Sequence, residues 1–191
     1  YQEQLDAGMT EAAAKLIAKN IKGRESATFR FGNGACIVES GDVAIDAILL
    51  SGEFMDYKKL AFRDGRMQAR VNIADMLEAV KLARISASTG TKELIALDFA
   101  KDSVMRVKAN NEQTEAVTDV YCDANGGMDD GTVYEIAFNG KYVEEALKAA
   151  SDYSGEVTLL MNTHTSPLAI LPVDRSDFYQ LALPVRRVGM E

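Results

Sequence analysis

The clearest pattern of hydrophobic and polar positions covers residues 132–151. Apolar and polar side chains alternate over residues 133–138, which predicts a strand, and the period changes to that of a helix at Asn139. Asn139 occupies the position of a helix N-cap, because its short side-chain oxygen can accept from the free N–H groups of the first turn. The inward face of this helix is predicted to carry Val143, Ala146, Leu147 and Ala150. Three strands are predicted to follow, at residues 156–161, 166–171 and 178–184.

The same unit occurs again over residues 66–121. A leading strand at residues 66–71 runs into a helix whose predicted cap is Asn72. The apolar face of that helix carries Ile73, Met76, Leu77 and Val80, with Arg84 next at the same spacing. The strands of this copy are predicted at residues 94–99, 104–108 and 115–121.

A weaker copy lies upstream, over residues 10–50. Thr10 is the predicted cap of a helix whose inward residues are Ala13, Leu16, Ile17 and Ile21. Residues 2–5 are a polar candidate for its leading strand. Its other strands are predicted at residues 27–31, 35–39 and 43–50, and Gly-Asn-Gly at residues 32–34 favours a tight turn between the first two.

Together these units predict an α+β fold of (β)αβββ repeats, with helices on one face of antiparallel sheets. Such units often pair to share a core, and three of them cannot pair evenly. One apolar face or sheet edge is left over, which a protein has to cover. The first unit is therefore expected to have a partner elsewhere, either in a longer molecule of which this chain is a piece or in another chain.

Composition narrows the classes of function. The hydrophobic content of 47% is ordinary for a globular protein, no run approaches the roughly 20 apolar residues of a membrane helix, and the acidic beginning does not resemble a signal peptide. A net charge of -8 argues against holding nucleic acid by bulk attraction, although it leaves room for a local basic surface. Cys36 and Cys122 lie in strand patterns of different copies and are interpreted as buried thiols, with a disulfide as the minor alternative.

Catalytic and metal-binding patterns are sparse. The single histidine, His164, falls in a predicted turn and is not part of a Ser/His/Asp or Cys/His set. Residues 123–131 are acidic and rich in glycine, but Met128 and Tyr134 stand where a calcium loop needs glycine and glutamate, so the stretch is interpreted as a connection. No phosphate-binding glycine motif precedes a helix. The sequence therefore predicts no enzymatic, metal or cofactor site.

Basic residues lie off the apolar faces of the three predicted helices. They are Lys15, Lys19 and Lys22 in the first helix, Lys81 and Arg84 in the second, and Lys141 and Lys148 in the third. On an isolated helix such positions usually form a solvated face. Several such helices along one concave surface would instead form a positive lining that contacts phosphates without reading bases.

Five motifs occur in the order and at the intervals of one known family: residues 51–59, 109–112, 138–147, 165–168 and 180–186. With these motifs and the repeated unit, the chain resembles the bacterial sliding clamp, the beta subunit of DNA polymerase III. The resemblance covers essentially the whole chain and implies the DNA-clamp fold. By position it implies the second half of a middle domain at residues 1–60, a connector at 61–65 and the C-terminal domain at 66–191.

The resemblance also implies a function. In that family each protomer has three domains of two units each, and two protomers close into a homodimeric ring around duplex DNA. This implies a non-catalytic processivity factor of bacterial replication, cytoplasmic and associated with the nucleoid, that encircles DNA independently of its sequence and needs no cofactor or membrane. Its partners would be the DNA polymerase III alpha subunit, the clamp loader and repair polymerases, which bind through short linear motifs.

Members of that family hold such motifs in an apolar cleft, and the basic residues of the helices face DNA. Carried over by position, the cleft residues are Met55, Lys59, Leu60, Asn139, Tyr142, Thr165, Pro167, Leu181, Ala182, Leu183, Pro184, Val185 and Arg186. The structural alternatives are that Asn139 only caps its helix, that Tyr142 only packs, and that the final apolar residues are core. An alternative function also stays open, that of a stand-alone peptide-binding module that keeps the cleft but does not encircle DNA.

Overall fold

The computed structural model describes residues 8–51, 57–87, 93–99, 103–110, 115–126, 135–163 and 165–185. The chain divides into two compact units, Tyr1–Tyr57 (unit 1) and Lys58–Glu191 (unit 2). Parts of the sequence-based predictions lie outside the described residues, among them the leading strand at 2–5, Met55, residues 127–131 of the predicted connection, His164 and Arg186.

Unit 1 is one helix and a three-stranded antiparallel sheet. Thr10 caps the helix as predicted, because its Oγ1 accepts from the Ala13 N–H at 3.2 Å. The sheet order is β1-β2-β3, and the predicted tight turn between β1 and β2 has Asn33 and Gly34 at φ values of 50° and 74°. The elements are α1 (Glu11–Ile21), β1 (Thr28–Gly32), β2 (Ala35–Ser40) and β3 (Val43–Ile48).

The core of unit 1 is small and lies between α1 and the sheet. Ile17 of α1 packs with Cys36, Val38 and Ala47, and Cys36 is a buried free thiol as predicted. The inward position predicted for Leu16 is wrong, since its side chain is 51% exposed. Leu16 is rotated by about 100° from Ile17 around the helix axis, and only the row that contains Ile17 faces the sheet.

Unit 2 contains the other two copies of the repeat. The short helix α2 (Tyr57–Leu60) marks the boundary between the units. The elements after it are β4 (Met67–Asn72), α3 (Ile73–Ala87), β5 (Leu94–Phe99), β6 (Val104–Asn110), β7 (Glu115–Gly126), β8 (Glu135–Asn139), α4 (Gly140–Ser151), β9 (Glu156–Met161), β10 (Leu168–Pro172) and β11 (Gln180–Ala182).

The two copies share one sheet of order β11-β10-β9-β4-β7-β6-β5-β8, in which each leading strand pairs with a strand of the other copy. β4 pairs with β7 of its own copy and with β9 of the other, while β8 pairs with β5 of the other copy. A bridge between Phe138 on β8 and Pro184, just after β11, brings the two ends of the sheet together. Residues far apart in sequence therefore meet at β8.

One hydrophobic core fills unit 2. Helices α3 and α4 pack against each other and against the sheet. All four inward residues predicted for α4 are buried, and so are Ile73, Met76 and Val80 of α3, while Leu77 is partly buried. Asn72 caps α3 as predicted, since its Oδ1 accepts from the Ala74 N–H at 2.8 Å.

Some strand boundaries differ from the predictions because partner strands decide them. Residues 123–126, interpreted as a connection, continue β7, since they pair with β4 from Arg70↔Asp123 to Met67↔Gly126. Strand β10 begins at Leu168, two residues later than predicted, and before it the Ser166 N–H donates to Thr163 O at 3.0 Å instead of pairing with a neighbouring strand. The last strand is reduced to three residues.

Candidate partner-peptide site

Asn139 stands where β8 runs into α4. Its Oδ1 accepts from the Lys141 N–H at 3.0 Å, which confirms the predicted N-cap. Tyr142 follows in the first turn of α4 with its side chain 61% exposed, so it does not serve as a packing residue. The strand-to-helix junction therefore presents an aromatic side chain to solvent beside a polar cap.

The final strand reaches the same junction from the other end of unit 2. Leu181 pairs with Ala169 on β10 in antiparallel register. Beyond β11, the Val185 N–H donates to Ala137 O on β8 at 2.7 Å. Residues 181–185 thus run from β10 to β8, and the antiparallel register places Leu183 beside Asn139.

Exposure differs from residue to residue along this final segment. The Leu183 side chain is 58% exposed, and Leu181, Pro184 and Val185 are partly buried. Ala182 is only 4% exposed and belongs to the core of unit 2, so its placement in the cleft is not supported. The core alternative therefore holds for Ala182, while Leu183 is a surface side chain.

Thr165 and Pro167 lie in the turn before β10. The Thr165 hydroxyl is 3.2 Å from Thr163 Oγ1, and Thr163 Oγ1 is 2.8 Å from Ser166 Oγ. Because Leu168 pairs with Ala182, the register places Pro167 beside Leu183. Pro167 and Leu183 are thus the residues next to the paired ends of β10 and β11, and Leu183 is also one residue from the bridge between Pro184 and Phe138.

Lys59 and Leu60 lie in α2, just before the connector at residues 61–65. Leu60 is 37% exposed. The guanidinium of Arg63 lies over the Tyr179 ring at 5.9 Å from its centroid, and the Arg66 N–H donates to Asn162 Oδ1 at 3.2 Å. The connector is thus attached next to β11 and to the end of β9.

The resulting site combines apolar side chains with a few polar groups. Among its members Leu183 is exposed and Pro167 and Val185 are partly buried, while Asn139 and Tyr142 supply polar groups at the start of α4. Burial of one leucine anchor of a bound peptide against such apolar side chains would contribute about 1.5–3 kcal/mol. Within the described residues, no group of three or more His, Cys, Asp or Glu side chains could hold a metal ion, and no helix is long and apolar enough to cross a membrane.

The basic residues assigned to DNA divide into two kinds. Six of them are exposed: Lys15, Lys19, Lys22, Lys81, Lys141 and Lys148. Arg84 differs, because its side chain is only 25% exposed and its guanidinium binds Glu93 and Glu144. The assignment of Arg84 to a DNA-facing surface is therefore not supported by its contacts.

Sequence reasoning missed the carboxylates that hold Arg84. Glu144 is 6% exposed, and it also accepts from Lys148, one helical turn later on α4, at 2.5 Å. The Lys148 hydrogen bond lowers the pKa of Glu144 below its usual value against the opposing effect of burial, and Arg84 lowers it further. The i,i+4 spacing of Glu144 and Lys148 was a readable signal for half of this cluster, but no local pattern links it to Arg84.

Replacing Asn139 with alanine is expected to lower the free energy of unfolding of unit 2 by about 1 kcal/mol, since the Lys141 N–H loses its acceptor. Asn139→Asp keeps an acceptor at that position and should lie within about 0.5 kcal/mol of wild type. Urea denaturation followed by far-UV circular dichroism measures both. Equal stabilities of the alanine variant and the wild type would show that the cap contributes nothing.

Solved structures define the class to which this architecture belongs. The DNA polymerase III subunit beta from Pseudomonas aeruginosa matches with a TM-score of 0.78 at 21% identity, over 94% of this chain and 47% of that chain. A DNA polymerase sliding clamp from Bacillus subtilis matches with a TM-score of 0.77 at 20% identity, over 94% of this chain and 46% of that chain. The fold is that of the DNA clamps, and the predicted α+β class is confirmed.

Sequence comparison identifies the family. The beta sliding clamp of Streptococcus pneumoniae serotype 4 is 26% identical over 164 residues, which cover 85% of this chain and 42% of the relative. The chain spans less than half the length of the curated relatives it matches. The family model of the DNA polymerase III beta subunit, C-terminal domain, matches residues 59–186, and the chain belongs to this family.

Proposed function

We propose that this chain is part of a bacterial DNA sliding clamp, a non-catalytic processivity factor that tethers DNA polymerase and other partners to duplex DNA. Family membership supports the class of function and a place of action at the nucleoid, in the cytoplasm. One observation carries the partner-binding role: exposed Leu183 directly precedes Pro184, which bridges Phe138 at the end of β8, and exposed Tyr142 follows Phe138 by four residues in the first turn of α4.

The site suits a short extended peptide with leucine or phenylalanine anchors. Leu183, Pro167 and Val185 would take the anchors, and Tyr142 and Asn139 would fix the orientation by stacking and hydrogen bonding. Lys59, Leu60, Met55 and Arg186 complete the proposed lining by their positions in the family motifs. The partners proposed on this basis are the polymerase alpha subunit, the clamp loader and repair polymerases.

The proposed contact with DNA is electrostatic and independent of sequence. The exposed lysines of α1, α3 and α4 would face phosphates, while the net charge of -8 keeps the rest of the molecule from attracting DNA. Closure into a ring is proposed for the homodimer of the whole protein, in which residues 1–60 would be the second half of a middle domain and residues 66–191 the C-terminal domain.

Fluorescence anisotropy of a labelled Gln-Leu-x-Leu-Phe peptide tests the partner site. The chain should bind it saturably, and Tyr142→Ala should weaken binding about tenfold, the loss typical of an aromatic contact at the centre of an interface. Tyr121→Ala is the matched control, because Tyr121 is a tyrosine of the same unit on β7, with its side chain 83% exposed. It should bind like the wild type.

Two results would count against the proposal. A folded protein that does not bind the peptide would contradict the partner site. Peptide binding by a protein that is not retained on closed circular duplex DNA in the presence of a clamp loader would instead favour the stand-alone peptide-binding module.

A further inference from the structure

Arg84 joins the last turn of α3 to two other elements of unit 2. Its Nε and Nη2 donate to Glu93 Oε2 at 2.9 and 2.6 Å, and its Nη1 donates to Glu144 Oε2 on α4. A planar guanidinium with five donors can bind two carboxylates at once, which a lysine ammonium does less well. One side chain thereby links the end of α3 to the residue before β5 and to the first half of α4.

The first residue of α4 also packs against Arg84. A Cβ atom at Gly140 would lie 2.6 Å from Arg84 Cγ and 2.9 Å from Ile95 Cγ2, closer than side chains approach one another. The absence of a side chain at Gly140 is what lets the Arg84 stem lie there. The Gly140 N–H donates to Glu93 O at 3.0 Å. Glu93 therefore holds Arg84 through its carboxylate and α4 through its backbone.

The charges of this cluster cancel among themselves. Arg84 and Lys148 are matched by Glu93 and Glu144. Burial alone would lower the pKa of Arg84, but the hydrogen bonds to Glu93 and Glu144 overcome it and raise the pKa above its usual value. Arg84 thus offers no uncompensated charge to a phosphate, and its hydrogen bonds are directed into the protein.

We propose that Arg84 is a positioning residue of the partner-peptide site, not a DNA-contacting residue: it fixes the first turn of α4 and thereby Asn139 and Tyr142. Asn139 precedes Gly140 directly and Tyr142 follows it by two residues, so a shift of this turn displaces both. The inference rests on the proposed peptide-binding function. A supporting contact of this kind strengthens binding by narrowing the arrangements that the site residues sample.

The test compares Arg84→Met with Arg70→Met in the whole chain. Methionine keeps an unbranched stem against Gly140 but removes the guanidinium, and Arg70 is an arginine of β4 whose guanidinium likewise binds a carboxylate, that of Glu156. With the labelled Gln-Leu-x-Leu-Phe peptide, Arg84→Met should weaken binding about fivefold to tenfold, and Arg70→Met by less than about twofold. Equal effects of the two variants would overturn the proposal.

A double variant separates positioning from a general loss of stability. Because Arg84 acts through Tyr142 and Asn139, Arg84→Met in the Tyr142→Ala background keeps only the loss that runs through Asn139, so the double variant should bind at most about twofold more weakly than Tyr142→Ala alone. All titrations are made at a temperature where circular dichroism shows each variant to be folded. If the losses of peptide affinity caused by the two single substitutions multiply in the double variant, the proposal is overturned.

Hydrogen exchange provides a readout that needs no peptide, so it separates this inference from the proposed function. In Arg84→Met, the Gly140 and Lys141 amides, which donate to Glu93 O and Asn139 Oδ1, should exchange about tenfold faster, while those of β9 keep their rates. Unchanged exchange at Gly140 and Lys141 would overturn the positioning role. Faster exchange in a protein that binds no peptide would support the positioning of the turn and contradict the proposed function.

Discussion

Replacing Leu183 with aspartate is expected to abolish binding of the partner peptide while unit 2 stays folded. The Leu183 side chain is 58% exposed between β11 and the bridge at Pro184, so its replacement removes little core packing. In the complex, the new carboxylate would face an apolar anchor and lose water without gaining a partner. Such a charge costs several kcal/mol, which corresponds to a loss of affinity of more than about a hundredfold.

Anisotropy of the labelled peptide measures the affinity, and thermal unfolding by circular dichroism measures the fold. Leu82→Asp is the matched control, because Leu82 is a leucine of α3 with a similar exposure of 47%. It should keep the affinity of the wild type. If Leu183→Asp unfolds unit 2, Leu183 is a core residue; if it binds like the wild type, the peptide does not lie on the final strand.

Phe138→Ala should give the largest loss of stability, about 3–5 kcal/mol in the free energy of unfolding of unit 2. Phe138 heads the largest side chains that are fully buried, and it pairs with Ile95 on β5 and bridges Pro184. Removal of its ring leaves a cavity at the place where β8, β5 and the final segment meet. The surrounding strands can close such a cavity only in part, because their backbones are held by the sheet.

Urea denaturation followed by far-UV circular dichroism measures this loss. Tyr142→Ala serves as the control, since it removes an aromatic ring four residues further on from a side chain that is 61% exposed. Its unfolding free energy should stay within about 0.5 kcal/mol of wild type. A loss of less than about 1 kcal/mol in Phe138→Ala would show that the ring is not a central part of the core.

The starts of the three long helices were predictable because a helix cap depends on contacts within one turn. Thr10, Asn72 and Asn139 were each identified by residue type and position, and each accepts from a backbone N–H two or three residues later. The inward face of α4 followed from its period for the same reason, since the four predicted residues are neighbours on one helix surface.

The candidate site could be predicted only in part. Family motifs located Asn139, Tyr142 and Leu183, which the fold brings to one junction, but they also included Ala182, whose side chain faces the core. Arg84 was assigned to DNA by its charge alone. Its two partners lie 9 and 60 residues away in sequence, and no local pattern includes both.

By itself, the sequence determined the order of helices and strands, their capping residues, the repetition of the unit and the membership of the clamp family. Only the tertiary structure decided that β4 lies between β7 and β9, that β8 pairs with β5, and that residues 123–126 extend β7. The physical reason is that strand edges offer nearly the same backbone hydrogen bonds to any partner. The choice among partners depends on which arrangement buries the inward faces of α3 and α4 in one core, and that is a property of the whole unit.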